Sequence, residues 1–256
     1  MAAWTIEERP AWRRWVTPKS LEDTPIHRWC VFPHSYTRDL VHALADEWGL
    51  GPQDHLLDPF VGAGTTLLAA KERGIPCTGY DLLPLAVLAA RVKTTDYDTW
   101  RLEQAWRALR RALLHSPTED PAHRHEMPRQ YPNLVQRALP GPLLGAFDAV
   151  ARAIDLLPCS DAERDFFRLA LLTTIPRFST AVATGGWLKW IERPISVPTG
   201  GCAGPCGDAA SVPKAFAQRV EAALRDVAEA HLPRGSLCRV HQADARSLPD
   251  PASTRK

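Results

Sequence analysis

The chain has 256 residues, 45% of them apolar, which is enough for one large or two small domains with a sizeable core. Its formal net charge of +2 is only mildly basic, so composition neither demands nor excludes a nucleic-acid partner. No apolar run reaches the roughly 18 residues of a membrane span and the N-terminus lacks the apolar core of a signal peptide, so no membrane partner and a cytoplasmic location are expected.

Residues 1–30 mix Trp4, Trp12, Trp15 and Trp29 with prolines and arginines without a clean period, which predicts an N-terminal arm with the tryptophans as packing anchors. From Thr37 to Trp48, Leu40, Val41, Leu44, Ala45 and Trp48 recur at helical spacing, and Gly49 supplies a stop. His55 to Phe60 reads as a strand leading into Gly62-Ala63-Gly64, and Thr65 to Arg73 as the helix that follows. Ile75 to Asp81 is a second strand and Pro84 to Val92 a second helix. Residues 31–96 thus form a βαβα unit, which predicts a parallel sheet with crossover connections.

Between 97 and 234 the pattern changes to helices at about Trp100–Leu114, Leu134–Leu157, Ala162–Thr174 and Pro213–Ala230, separated by Pro- and Gly-rich loops, and reads as a large helical insertion. Gly200 to Ala210 is expected to be a loop. Residues 235–256 return to strand character over Ser236 to Ala245, ending in Asp244, and form a third sheet strand with a truncated C-terminus. The fold class expected is α/β, a partial Rossmann-like sheet carrying that insertion.

Six cysteines (Cys30, Cys77, Cys159, Cys202, Cys206 and Cys238) are scattered over a chain too large to need disulfide staples, which predicts reduced thiols. Cys202 and Cys206 form a C-x3-C without a second pair of ligands, and His123, His125 and Glu126 sit in a proline-bounded polar stretch. No metal site is expected at either place.

Residues that finish successive parallel strands converge on one crevice, and here they are Asp58, Asp81 and Asp244. Gly62 and Gly64 let the main chain approach a ligand, and the N–H groups opening the next helix suit a carboxylate. Asp81, about 20 residues after the glycine turn, is placed to accept from ribose hydroxyls. GAGTT lacks the lysine of a phosphate loop, and Leu67 replaces the third glycine of a dinucleotide fingerprint. Asp58 would oppose a pyrophosphate and favours an ammonium. Adenosine, carboxylate, ammonium and sulfonium together describe S-adenosylmethionine, the cofactor this set of residues predicts. A G-x-G turn formed for packing alone is the bland alternative, and the three acidic strand ends weigh against it.

The block LLDPFVGAGTTLLAA resembles the D-P-F-x-G-x-G-T-T motif of the DNA amino-methyltransferases, which act on adenine N6 or cytosine N4. The resemblance implies that Asp58, Phe60, Gly62, Gly64, Thr65 and Thr66 hold the amino-acid part of the cofactor, that Asp81 binds its ribose, and that Asp244 in Ala243-Asp244-Ala245 meets the adenine. Phe32 to Tyr36 is similar to the segment that closes over the methionine end, which brings in Phe32. The resemblance covers about Trp29 to Val92 well and Leu237 to Leu248 loosely. It also implies DNA as a partner.

That family transfers methyl groups at a [D/N/S]-P-P-[Y/F] loop that holds the exocyclic amine and stacks on the flipped base. No such tetrapeptide occurs in this sequence, so no catalytic residue is assigned. The expectation is a fragment or one half of a split enzyme, with the first strand left as an apolar edge for a second polypeptide to complete. An RNA guanine-N2 methyltransferase and a non-catalytic cofactor-binding module are the alternatives. In the insertion, Arg107, Arg110 and Arg111 beside Trp106, and Trp187, Lys189, Trp190 and Arg193, suit phosphate contacts and stacking. A solvated arginine face over core tryptophans is the reading that weighs more there.

Overall fold

The computed structural model describes residues 8–115, 130–183, 187–191, 195–196, 202–203, 208–235 and 238–248. Trp4, the stretch holding His123, His125 and Glu126, Arg193, Cys206, most of the Gly200–Ala210 loop and residues 249–256 lie outside the described residues. In chain order the elements are α1 (Arg38–Glu47), β1 (Leu56–Asp58), α2 (Thr65–Glu72), β2 (Cys77–Asp81), α3 (Pro84–Thr94), α4 (Thr99–His115), α5 (Asn133–Ala138), α6 (Pro142–Asp155), α7 (Asp161–Leu172), β3 (Ala181–Ala183), β4 (Leu188–Trp190), β5 (Ile195–Ser196), β6 (Cys202–Ala203), α8 (Val212–Glu229) and β7 (Cys238–Gln242). The chain divides into two compact units, Met1–Asp96 with His231–Lys256, and Tyr97–Ala230.

The first unit is built on a three-stranded parallel sheet in the order β1-β2-β7. Parallel neighbours cannot be joined by a hairpin, so α2 carries the chain from β1 back to the start of β2. Here α/β describes the unit. β2 is central and buried until its last residue, and Ala45, Val61, Leu67, Ala70, Ile75, Cys77 and Ala90 form the core over it. Gly79 is required in β2 because a Cβ there would come within 2.6 Å of Val61 and 2.8 Å of Leu67. The strand predicted over His55–Phe60 is shorter than its apolar run, since Pro59 cannot donate to a ladder.

α2 is buried from Thr65 to Lys71, as an Ala-, Leu- and Thr-rich helix without a polar face should be. Its Lys71 is fully buried yet satisfied: Nζ donates to the Thr94 carbonyl and to Asp96, both at 2.6 Å. Burial works against the Asp96 charge, but Lys71 and the Gly235 N–H outweigh it and hold that carboxyl below its ordinary range. Lys93 on α3, also buried, donates to the Cys30 carbonyl at 2.5 Å, and burial pushes its pKa down to about 8. Leu21, Ile26, His27, Trp29 and Cys30 are buried. Of the four tryptophans expected as anchors, Trp29 alone is buried among the described residues. Trp12 and Trp15 are half-buried and lie beside each other and beside Arg9 and Arg14.

The second unit is helical with an aromatic core. Trp106 packs against Phe167 and Phe216, and Phe147 against Phe178. Arg107, Arg110 and Arg111 are exposed on α4, so Trp106 is a core residue under a solvated arginine face. A capping box, with Ser160 accepting from the Glu163 N–H and Glu163 accepting from the Ser160 N–H, starts α7. The single helix predicted over Leu134–Leu157 is instead two, α5 and α6. Pro140 and Pro142 lack N–H donors, and Gly141 turns the chain at φ +56°. Two antiparallel pairs, β3 with β4 and β5 with β6, were not predicted. Among the described residues no helix is long and apolar enough to cross a membrane.

Candidate functional site

β1 stops at Asp58, whose Oδ1 accepts from the Phe60 N–H at 3.0 Å, an Asx turn that carries Phe60 outward to 77% exposure. Val61 then returns to the core, its N–H donating to the Tyr80 carbonyl at 2.8 Å. Gly62 follows at φ +50° and donates its N–H to Asp81 Oδ2 at 2.9 Å. The glycine turn after β1 is therefore fastened to the carboxylate that ends β2. Since Asp58 pairs with Gly79, Asp81 stands two residues, about 6.6 Å, further along the sheet.

Gly64 is the N-cap of α2 at φ +84°, and a Cβ there would lie 2.7 Å from Ala90 Cα. Both constraints exclude other residues, so this glycine sets how closely α2 approaches α3. Thr65 and Thr66 follow, buried, in the first turn, where backbone N–H groups have no partner within the helix. Asp81 Oδ1 accepts from the Leu83 N–H at 2.9 Å, so each oxygen of this carboxylate holds one backbone donor and keeps a further lone pair. Around it Phe60, Leu82 and Leu83 are exposed apolar side chains.

Phe32 lies alongside the turn, 3.8 Å from where a Cβ at Gly62 would stand. Tyr36, four residues on, hydrogen-bonds through its hydroxyl to Thr66 Oγ1. Burial and then the neighbouring Asp58 carboxylate push the phenol pKa up, which keeps Tyr36 protonated beside that charge. Tyr36 was not among the predicted site residues; its place in the same short segment as Phe32 was the available signal. Gly79 was missed as well, because a glycine inside a strand carries no mark of what lies over it.

On the far side of β2, the Ala243 N–H donates to the Asp81 carbonyl at 3.0 Å, which sets Asp244 just beyond the end of β7. Asp244 does not present an unengaged carboxylate. It accepts from the Arg246 N–H at 2.9 Å and from its guanidinium at 2.5 Å, and these bonds hold the carboxyl below its ordinary range. The pair is solvent-exposed and therefore cheap to rearrange. Asp58, Phe60, Gly62, Gly64, Thr65, Thr66, Asp81, Phe32 and Tyr36 gather at one end of the β1–β2 pair, with Asp244 at the same end of β7. Among the described residues no group of three or more His, Cys, Asp or Glu side chains could hold a metal ion.

No family model matches this chain, and no solved structure matches it. Curated proteins do. Type II methyltransferase M.BsoBI of Geobacillus stearothermophilus is 36% identical over 107 residues, 42% of this chain and 21% of that protein. Type II methyltransferase M.AvaI of Nostoc sp. (strain PCC 7120) is 26% identical over 184 residues, 71% of this chain and 36% of that protein. Type II methyltransferase M.MjaII of Methanocaldococcus jannaschii is 43% identical over 51 residues, 20% of this chain and 10% of that protein. The chain spans between a tenth and about a third of the length of these relatives. Over the part that it matches, this chain is similar to Type II methyltransferases.

Proposed function

We propose that this chain carries the S-adenosylmethionine-binding part of a DNA amino-methyltransferase, with the Rossmann-like sheet of such enzymes present in part. The observation that carries the reading is the fastening of the Gly62 turn to the Asp81 carboxylate at the ends of two parallel strands. Three relatives named as methyltransferases support it.

The residues fit such a cofactor. Asp58 offers negative charge to the ammonium, and the N–H groups opening α2 offer donors to the carboxylate. Asp81 has lone pairs left for ribose hydroxyls, and Leu82 and Leu83 give an apolar flank suited to a purine. Phe32 and Tyr36 close the methionine end, and Asp244 reaches adenine only by exchanging its bonds to Arg246. When bound, S-adenosylmethionine supplies a methyl group on a sulfonium centre; the side chains here bind and orient it, and no catalytic residue is assigned. The target is an exocyclic amine of a DNA base, adenine N6 or cytosine N4. Among the described residues β1 pairs only with β2, and a further parallel strand beside β1, from the same or a second polypeptide, would bring the catalytic loop.

Calorimetric titration with S-adenosylmethionine tests the reading. Asp58→Ala and Asp81→Ala should each weaken binding by at least about tenfold, the scale of one lost charge-assisted hydrogen bond. Asp81→Asn, which keeps one of the two acceptors for the backbone, should remain folded with some loss of stability and still bind poorly. Undiminished affinity in folded Asp58→Ala and Asp81→Asn would sink the assignment.

A further inference from the structure

Cys77 and Cys238 are a pair that the proposed cofactor site does not use. Cys77 opens β2, Cys238 opens β7, and the two residues are partners in the parallel register. Partners on adjacent strands lie about 4.8 Å apart in the backbone and point to the same face, within the span a disulfide bridges. The side chains use that opportunity: Cys77 Sγ donates its hydrogen to Cys238 Sγ across 3.0 Å, well inside ordinary contact between two sulfurs. Both are thiols in this structure. Packing alone accounts for burying two small apolar groups here, but it does not bring two sulfurs this close.

We propose that Cys77 and Cys238 form a reversible disulfide, a redox-sensitive staple between β2 and β7. Cys238 is the nucleophile, since it is half-buried and open to an oxidant where Cys77 is fully buried. The hydrogen bond to Cys238 and then burial push the Cys77 thiol pKa up. With hydrogen peroxide as the two-electron oxidant, the Cys238 sulfur attacks one oxygen and the O–O bond breaks. This gives a sulfenic acid and, after proton transfer, water. The Cys77 sulfur then attacks the sulfenic sulfur, the S–O bond breaks, and a second water leaves with the remaining thiol proton. Two thiols are oxidised and one peroxide is reduced to two waters. The chain leaves the first unit after Asp96 and returns at His231, so the bond closes the base of the loop that carries the second unit.

The test uses the full chain, folded by circular dichroism, treated with hydrogen peroxide, then blocked with N-ethylmaleimide in denaturant and digested without reduction. Mass spectrometry should find a peptide pair linked through Cys77 and Cys238, an intact mass lower by two hydrogens, and the other four of the six cysteines blocked as thiols. Dithiothreitol should release the pair. Cys238→Ser should abolish the linked peptide, and Cys77→Ala serves the same purpose at the other strand. Recovery of both cysteines as blocked thiols, of Cys238 as a sulfinic or sulfonic acid, or of either linked to a different cysteine overturns the proposal.

Discussion

Gly64 and Gly74 both hold left-handed backbone, at φ +84° and +68°, but only Gly64 faces a wall. A Cβ at Gly64 meets the Ala90 backbone at 2.7 Å, whereas one at Gly74 meets nothing within 4 Å. Gly64→Ala should therefore cost about 2–4 kcal/mol, strain plus overpacking, and Gly74→Ala about 1 kcal/mol, strain alone. Urea denaturation of the two variants measures the difference, and equal losses would contradict the close approach of α2 to α3. The backbone demand at Gly62 and Gly64 is legible in the sequence, because a G-x-G between a strand and a helix needs conformations that other residues avoid. Tyr36 is legible only through the segment it shares with Phe32: its partner Thr66 is 30 residues away, and no local spacing marks a contact of that kind. Nor does the sequence reveal that Arg246, two residues on, engages the Asp244 carboxylate.

At the scale of elements, α1, α2 and the 3-10 turn His27–Trp29 meet at one half-buried carboxylate, Glu72. Glu72 lies 3.3 Å from His27, 3.0 Å from His42 and 3.0 Å from Arg38. Burial lowers the His27 pKa from its ordinary 6.5, with Lys93 and Arg38 also opposing its charge. The unfolded chain therefore takes up a proton there that the folded chain resists, and stability falls as pH drops below about 6.5. Burial works against the Glu72 charge as well, yet His27, His42 and Arg38 hold its carboxyl well below the ordinary range. Its contribution is present above the unfolded value near 4.5 and is lost as pH falls further. Thermal unfolding from pH 7.5 to 4 should show a midpoint that declines from about pH 6.5 and more steeply below 4.5, the steeper part being reduced in Glu72→Gln. A midpoint that rises on acidification would contradict this arrangement. Long elements were the legible ones: apolar spacing located α1 and α8, and helix formers with a flanking glycine or proline located α2 and α3, to within a residue or two. The break between α5 and α6 was not, because apolar periodicity runs on across Pro140 and Gly141. β3 and β4, three residues each, are too short to show alternation.

For the whole molecule, the open side of β1 matters most. Among the described residues this strand is paired on one side only, and Leu57 is 47% exposed. Uncovered parallel edges template further pairing, so the chain should self-associate with rising concentration in sedimentation velocity, and Leu57→Lys should reduce that. A monomer at every concentration would contradict the edge as an incomplete surface. S-adenosylmethionine bound at the proposed site would restrain the Gly62 turn, and hydrogen exchange with and without it measures this. Exchange should slow over Asp58 to Thr66, at Asp81 to Leu83 and around Asp244, with no change in the helices of the second unit. Binding without protection of the Gly62 turn, or protection confined to another part of the chain, would contradict the proposed site.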